Sequence, residues 1–251
     1  MLNARGGGLP IGYAEIANVQ KNAMGEHERF HLTVPMSKSP DTPLLKHHAQ
    51  NTQFPMNYLA HLYLSEPSED AWLGSLLGDF VKGPLDSRYD VSVTRAISLH
   101  RKIDTFTDAH PVVLQSKARV SAGRRRYAGI MIDMFYDHFL AKYWSEFMDE
   151  PLREFSARIY SILERRHAML PDRLQQMAPK MAQWNWLESY AQVGSIHTAL
   201  DRMGQRLTRQ NTLRNSADEL VQHYPAFESD FRDFLPQVRE FAKSHHVSFV
   251  D

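Results

Sequence analysis

Residues 99–108 read LHRKIDTFTD, and residues 133–139 read DMFYDHF. In the first stretch a histidine and two aspartates are spaced by four, at His100, Asp104 and Asp108. On an α-helix this spacing places side chains on nearly the same face, with a drift of roughly 40° per step. The second stretch holds a similar polar group, at Asp133, Asp137 and His138. The two stretches therefore predict two helices whose polar stripes can face each other.

Apolar periodicity extends the helical prediction along most of the chain. Residues recur at spacings of three and four, for example at Trp72, Leu73, Leu76, Leu77 and Phe80, which is typical of amphipathic helices. Alternating polar and apolar runs are scarce. Ser216 and Glu219 predict a capping box at the start of a late helix, which Pro225 and Pro236 should kink or divide. We predict an all-α fold, a single helical bundle domain.

The chain of 251 residues is long enough for one full domain. Residues 1–55 contain a Gly-Gly-Gly run, five prolines and no sustained apolar period. We predict that they form a disordered N-terminal extension. The helical domain is expected over residues 56–243, and residues 244–251 are expected to form a flexible tail.

Composition excludes several classes of function. The 29 basic and 29 acidic residues give no net charge, so neither nucleic acid nor a membrane surface is an expected partner. The chain has no cysteine, which excludes disulfides, thiolate catalysis and cysteine zinc sites. No apolar run approaches the ~18–20 residues of a membrane span. The expected location is therefore the cytoplasm.

The polar stripes suggest a metal site because carboxylates are seldom buried unless they are paired or bind a metal. A mixture of imidazole and carboxylate suits Mn²⁺, Fe²⁺ or Mg²⁺. Such an ion lowers the pKa of bound water, so metal-assisted hydrolysis is the favoured reaction class. Each residue also has a structural interpretation. His61 could be a hydrogen-bonded core histidine, Asp79 a turn residue, and Asp104 a partner of a neighbouring cation.

Four motifs in order carry a family resemblance. They are MNYLAHLYL at 56–64, GSLLGDFVKG at 74–83, LHRKIDTFTD at 99–108 and DMFYDHFLAKYW at 133–144. Together they closely resemble the acyl carrier protein phosphodiesterases, an atypical branch of the HD phosphohydrolases. The resemblance is strong over residues 56–145, weaker to about residue 243, and does not cover residues 1–55.

This resemblance implies a distorted HD-like bundle that hydrolyses holo-acyl carrier protein to apo-acyl carrier protein and 4′-phosphopantetheine, with Mn²⁺ as the expected cofactor and Mg²⁺ or Fe²⁺ as alternatives. Matched by motif, the implied metal ligands are Asp79, His100, Asp104 and Asp137. The expected catalytic residues are His61, His138 and Arg101. Further candidates are Asp108 and Asp133. The pair Asp137-His138 reverses the usual His-Asp order of HD sites, which leaves open which member binds metal.

A basic segment joins the two polar stretches. No acidic residue lies between His110 and Ile132, and the segment contains Lys117, Arg119, Arg124, Arg125 and Arg126. Carrier proteins of this type are small and acidic, so we predict that this segment steers them to the site. The alternative is an ordinary solvated turn. Trp184 and Trp186 could line a groove for the pantetheine arm, although core packing is the favoured interpretation.

Two other functions stay open at this point. An HD-type phosphohydrolase for a nucleotide or other small phosphoester would share the metal chemistry but would need no protein substrate. A non-enzymatic helical protein could instead bind an acidic helical partner through the basic segment, and it would take up no metal.

Overall fold

The predicted all-α fold is confirmed. The computed structural model describes residues 58–85, 87–207 and 210–246, and these residues form eleven α-helices and no β-strand. The helices are α1 (Tyr58–Leu64), α2 (Glu69–Leu77), α3 (Val91–Ala109), α4 (Pro111–Arg119), α5 (Ala128–Lys142), α6 (Leu152–Arg165), α7 (Asp172–Gln183), α8 (Trp186–Ser189), α9 (Val193–Arg206), α10 (Asp218–Gln222) and α11 (Tyr224–His246). The predicted extension, residues 1–55, and residues 247–251 of the predicted tail lie outside the described residues.

Helix α5 lies at the centre of the core because almost its whole circumference is apolar. Met131, Phe135 and Phe139 are fully buried, and α5 packs against α1, α4, α9 and α11. A helix that is apolar on most sides is expected in the interior. Any polar side chain on α5 must therefore find a partner inside the protein.

Helices α2 and α3 approach each other closely because two glycines on α2 face α3. A Cβ atom at Gly74 would collide with Ala96 and would lie 2.5 Å from the carbonyl oxygen of Val93. A Cβ atom at Gly78 would collide with the ring of His100. The two glycines, one helical turn apart, thus allow the start of α3 and the His100 ring to pack directly on α2.

The C-terminal region corrects one sequence prediction. The capping box predicted at Ser216 and Glu219 is wrong, because Glu219 lies inside α10 and accepts hydrogen bonds from Ser121 N at 3.3 Å and Arg124 Nη1 at 3.1 Å. The division at Pro225 is confirmed, since α10 ends at Gln222 and α11 begins at Tyr224. Pro236 lies inside α11 without ending it. Among the described helices, none has the length and apolar character needed to cross a bilayer.

Candidate active site

Three side chains from α1 and α3 meet at one point, where the two imidazoles are buried and Asp104 is partly exposed. The Nε2 atom of His61 lies 3.0 Å from Asp104 Oδ1, and the Nε2 atom of His100 lies 3.3 Å from Asp104 Oδ2. The two imidazole rings stack, with centroids 3.7 Å apart and an interplanar angle of 20°. We call His61, His100 and Asp104 the histidine cluster. Helical spacing explains why His100 and Asp104 lie together, since they are one turn apart on α3. His61 comes from α1.

Asp79 lies at the edge of this cluster, just beyond the end of α2. Its Oδ1 atom is 3.8 Å from His100 Nε2. Burial raises the pKa of Asp79 to about 6, the neighbouring His100 opposes this rise, and the negative charge of Asp104 adds to it. For Asp104, burial raises the pKa, but hydrogen bonds from His100 and His61 outweigh it and leave the pKa well below its usual range. Asp104 is therefore the anion of the cluster.

The histidine cluster has fewer hydrogen-bond partners than its burial requires. His61 and His100 are 1% and 2% exposed, yet the Nδ1 atom of neither ring has a hydrogen-bond partner within the described part of the chain. The Oδ2 atom of Asp79 is likewise buried without a partner there. Buried polar atoms in native proteins are nearly always satisfied. Unsatisfied atoms grouped in one place are expected at a site that binds something.

The donor set of the cluster fits a divalent cation. One ligand atom from each of His61, His100 and Asp104 lies within 4.8 Å of the other two. Two imidazole nitrogens and a carboxylate oxygen, without thiolate, suit first-row divalent metals. The unpartnered Asp79 oxygen beside the cluster offers a further acceptor.

The second polar stretch is bonded differently. Both carboxylate oxygens of Asp137 accept hydrogen bonds from the first turn of α1, from Leu59 N at 3.1 Å and Ala60 N at 2.8 Å. Asp137 is fully buried, and its pKa is raised well above the usual value by burial, although these two amides oppose the rise. Asp137 thus satisfies backbone donors that a helix start leaves open, and it orients the helix that carries His61.

His138 points to another part of the core. Its Nδ1 atom lies 2.8 Å from the carbonyl oxygen of Tyr190, and its Nε2 atom lies 2.8 Å from the hydroxyl oxygen of Tyr224. Burial lowers the pKa of His138, so the ring is neutral, with Nδ1–H donating and Nε2 accepting. Lys142 donates to the same Tyr224 hydroxyl at 2.8 Å. The structure therefore separates His138 from the histidine cluster in its contacts.

Asp133, one turn before Asp137, is only half-buried, and it lines a cavity of about 30 Å³ together with His61. Burial raises the pKa of Asp133 to about 8, and the negative charge of Asp104 contributes to the rise. Asp108 is exposed to solvent, and Lys117 Nζ lies 2.7 Å from its Oδ1 atom. Of the two further candidates, Asp133 thus lines a cavity with His61, whereas Asp108 is an exposed partner of Lys117.

Arg101 binds the turn that follows Asp79. Its guanidinium donates to the carbonyl oxygen of Val81 at 2.8 Å and to that of Gly83 at 2.9 Å. Gly83 has a φ of 79°, a conformation that favours glycine. The hydrogen bonds tie α3 to this turn, and Arg101 therefore braces the segment that holds Asp79.

Most of the predicted docking segment binds the chain itself. Arg119 pairs with the buried Asp230 at 2.9 Å, and Arg124 pairs with the buried Glu219 at 3.1 Å. Arg125 donates to the carbonyl oxygens of Val120 and Ala118, and Lys117 pairs with Asp108. Arg126 is exposed, with its guanidinium 6.0 Å from the Tyr127 ring centroid.

Sequence reasoning missed two residues that shape the site. Gly78 leaves room for the His100 ring, as described above, and a glycine immediately before Asp79 in the GDF motif was the signal for it. Tyr58 is 3% exposed, and its hydroxyl has no hydrogen-bond partner among the described residues. Its position one helical turn before His61 was the available signal, but an aromatic at that spacing usually indicates core packing.

Comparisons with known proteins agree with the resemblance in the sequence. A family model described as acyl carrier protein phosphodiesterase matches residues 56–238. A protein of Pectobacterium atrosepticum named acyl carrier protein phosphodiesterase is 34% identical over 193 residues, which cover 76% of this chain and 100% of the relative. Proteins with the same name from Serratia proteamaculans and Escherichia coli are 36% and 35% identical, over 76% and 74% of this chain and 100% and 97% of their own lengths. No solved structure shows significant similarity.

Proposed function

The chain belongs to the acyl carrier protein phosphodiesterase family, and on that premise we propose that it is a metal-dependent phosphodiesterase acting on holo-acyl carrier protein. The products are apo-acyl carrier protein and 4′-phosphopantetheine, so the enzyme serves turnover of the prosthetic group in fatty acid biosynthesis. One observation carries the proposal. His61, His100 and Asp104 converge from two helices, with both imidazoles buried, where neighbouring polar atoms lack partners among the described residues.

The residues that would hold the cation are His61, His100 and Asp104, with Asp79 as a further carboxylate ligand. Mn²⁺ is the proposed ion, because the set mixes imidazole and carboxylate and contains no thiolate. A divalent ion there supplies Lewis-acid stabilisation of phosphate charge and lowers the pKa of water. Asp137 holds the first turn of α1 and Arg101 holds the turn after Asp79, so both position these ligands.

The reaction requires two proton transfers, one from the attacking water and one to the leaving serine oxygen. Water adds to the phosphodiester and loses a proton, the bond from phosphorus to the serine oxygen of the carrier breaks, and that oxygen gains a proton. Asp104 stays ionised and keeps the two imidazoles in place.

Intact-mass spectrometry tests this proposal directly. Purified full-length protein is incubated with holo-acyl carrier protein and Mn²⁺, with and without chelator. We expect the carrier to lose the mass of its 4′-phosphopantetheine group only when metal is present. A parallel reaction with free nucleotides tests the alternative phosphohydrolase. A carrier of unchanged mass under both conditions contradicts the proposed function.

A further inference from the structure

A cavity of about 250 Å³ lies between α7, α8 and α9, next to the start of α1. Its lining includes Tyr58, Arg173, Trp184, Trp186, Arg202 and Arg206. The volume is many times what one water molecule needs and approaches the size of small-molecule sites. The basic segment at residues 117–126 does not contribute to it.

The lining combines positive charge with aromatic surface. Arg173, Arg202 and Arg206 all line the cavity, and no acidic residue is among its lining residues in the described part of the chain. The guanidinium of Arg202 lies 4.8 Å from the ring centroid of Trp184. Trp184 is 51% exposed, which contradicts the expectation that it packs in the core. An exposed tryptophan stacked with Arg202 in a lining that carries three arginines indicates an anionic ligand that also has apolar surface.

Two residues connect this cavity to the histidine cluster. Tyr58 lines the cavity and begins α1, one helical turn before His61. Arg173 also lines the cavity, and its guanidinium lies 5.9 Å from the ring of Phe80, the residue after Asp79. The cavity therefore adjoins the proposed reaction site at its Tyr58 and Arg173 end.

We propose that this cavity binds the pantetheine arm of the carrier protein, with the phosphate at the Arg173 end and the amide chain running along the tryptophans. The inference rests on the proposed function, and it adds where the substrate lies. The buried Tyr58 hydroxyl and the hydroxyls of Ser195 and Thr198, which also line the cavity, match the amide groups of the arm. The Trp184 and Trp186 faces match its dimethyl carbon and methylenes.

Calorimetric titration with free 4′-phosphopantetheine tests this placement without requiring turnover. The unmodified full-length protein is expected to bind the probe. Arg202→Glu should weaken binding about tenfold or more, as expected when Arg202, beside Trp184, loses a charge-assisted hydrogen bond to an amide carbonyl of the arm. Ala199→Phe should also weaken it, because Ala199 lines the cavity and the larger side chain fills it. Arg153→Glu is the matched control, an exposed arginine on α6 that does not line the cavity.

The same variants are then assayed for KM with holo-acyl carrier protein. We expect Arg202→Glu to raise KM about tenfold and Arg153→Glu to leave it unchanged. Circular dichroism checks folding, and because Arg202 is exposed, its variant keeps the test decisive if Ala199→Phe unfolds.

Equal binding by the unmodified protein and Arg202→Glu overturns the inference, as does absence of binding by the unmodified protein. If holo carrier is hydrolysed but these variants have unchanged affinity, the inference fails while the proposed function stands. If 4′-phosphopantetheine binds through the cavity but holo carrier is never hydrolysed, the proposed function fails and the arm-binding cavity is supported.

Discussion

The histidine cluster and the Asp137–His138 pair contain the same residue types but differ in how their atoms are bonded. In the cluster, the Nδ1 atoms of His61 and His100 lack partners among the described residues. In the pair, both Asp137 oxygens and both His138 nitrogens have hydrogen-bond partners. A buried polar group without partners costs stability. The hydrogen-bonded groups of the pair therefore stabilise the fold, whereas the unpartnered groups of the cluster are available to bind a ligand.

The largest effect is expected on activity, from a substitution in the histidine cluster. Asp104→Asn should lower kcat by on the order of 10³-fold, more than the roughly 10–100-fold typical of losing an outer partner of a metal ligand. The reason is that Asp104 is the anion that both histidines contact. Carrier hydrolysis with Mn²⁺ measures it. The control is Asp108→Asn, one turn further along α3, where the carboxylate is exposed and pairs with Lys117. Equal losses in both variants would show that the cluster has no special role.

The next effect concerns stability. Asp137→Ala should lower the free energy of unfolding by about 3 kcal/mol, because two buried amides of α1 lose their acceptor. Urea denaturation measures the change. Asp137→Asn retains one acceptor oxygen and should lose about half as much.

The activity of the folded fraction decides the role of Asp137. If Asp137→Asn keeps the stability of the unmodified protein but loses activity and metal affinity, Asp137 binds the metal and the comparison between the two regions breaks down.

A smaller effect tests the packing that positions the cluster. Gly78→Ala should lower kcat by about 10–100-fold, because the added Cβ collides with the His100 ring and a shift near 1 Å can cost about 10²-fold. Steady-state kinetics measure it. Gly194→Ala is the matched control, since nothing lies within 4 Å of a Cβ atom at that position. An unchanged kcat for Gly78→Ala would show that the His100 position does not limit the reaction.

The smallest effect is expected in the basic segment, where Arg119 and Arg124 pair with buried acidic residues. Arg124→Gln should lower the free energy of unfolding by about 1 kcal/mol at pH 7, because the buried Glu219 loses its ionic partner. Burial raises the pKa of Glu219, but hydrogen bonds from Ser121 and Arg124 outweigh it and leave the pKa below its usual value. This contribution is therefore present above about pH 4.3 and lost as pH falls through the lower folded pKa.

Urea denaturation of the unmodified protein and of Arg124→Gln measures the difference in their free energies of unfolding. We expect this difference to be about 1 kcal/mol at pH 7 and smaller at pH 3. Arg126→Gln is the control, because Arg126 is exposed and its loss should leave stability unchanged. A rise in KM for the carrier with Arg124→Gln and no change in stability would favour the predicted docking role of this segment.

Much of the fold was predictable because it depends on local spacing. Apolar residues at intervals of three and four require one buried face, and that requirement predicts helices without knowledge of their neighbours. The prediction of a Ser216–Glu219 capping box was wrong because the partner of Glu219 depends on a long-range contact, not on local spacing. Glu219 is close to Ser216 in sequence, but the buried site that it occupies contains Arg124 from a distant segment. A charge-assisted hydrogen bond in the interior outweighs a local cap.

The all-α class, the family, and the placement of His100 and Asp104 on one helical face follow from the amino-acid sequence alone. The packing of separate helices brings His61 to them, and it places Asp137 against the start of α1 and His138 against Tyr190 and Tyr224. Helical periodicity sets the direction of a side chain relative to its own helix. Which atoms it meets depends on how separate helices pack, and that is set by long-range contacts such as the close approach of Gly78 to His100.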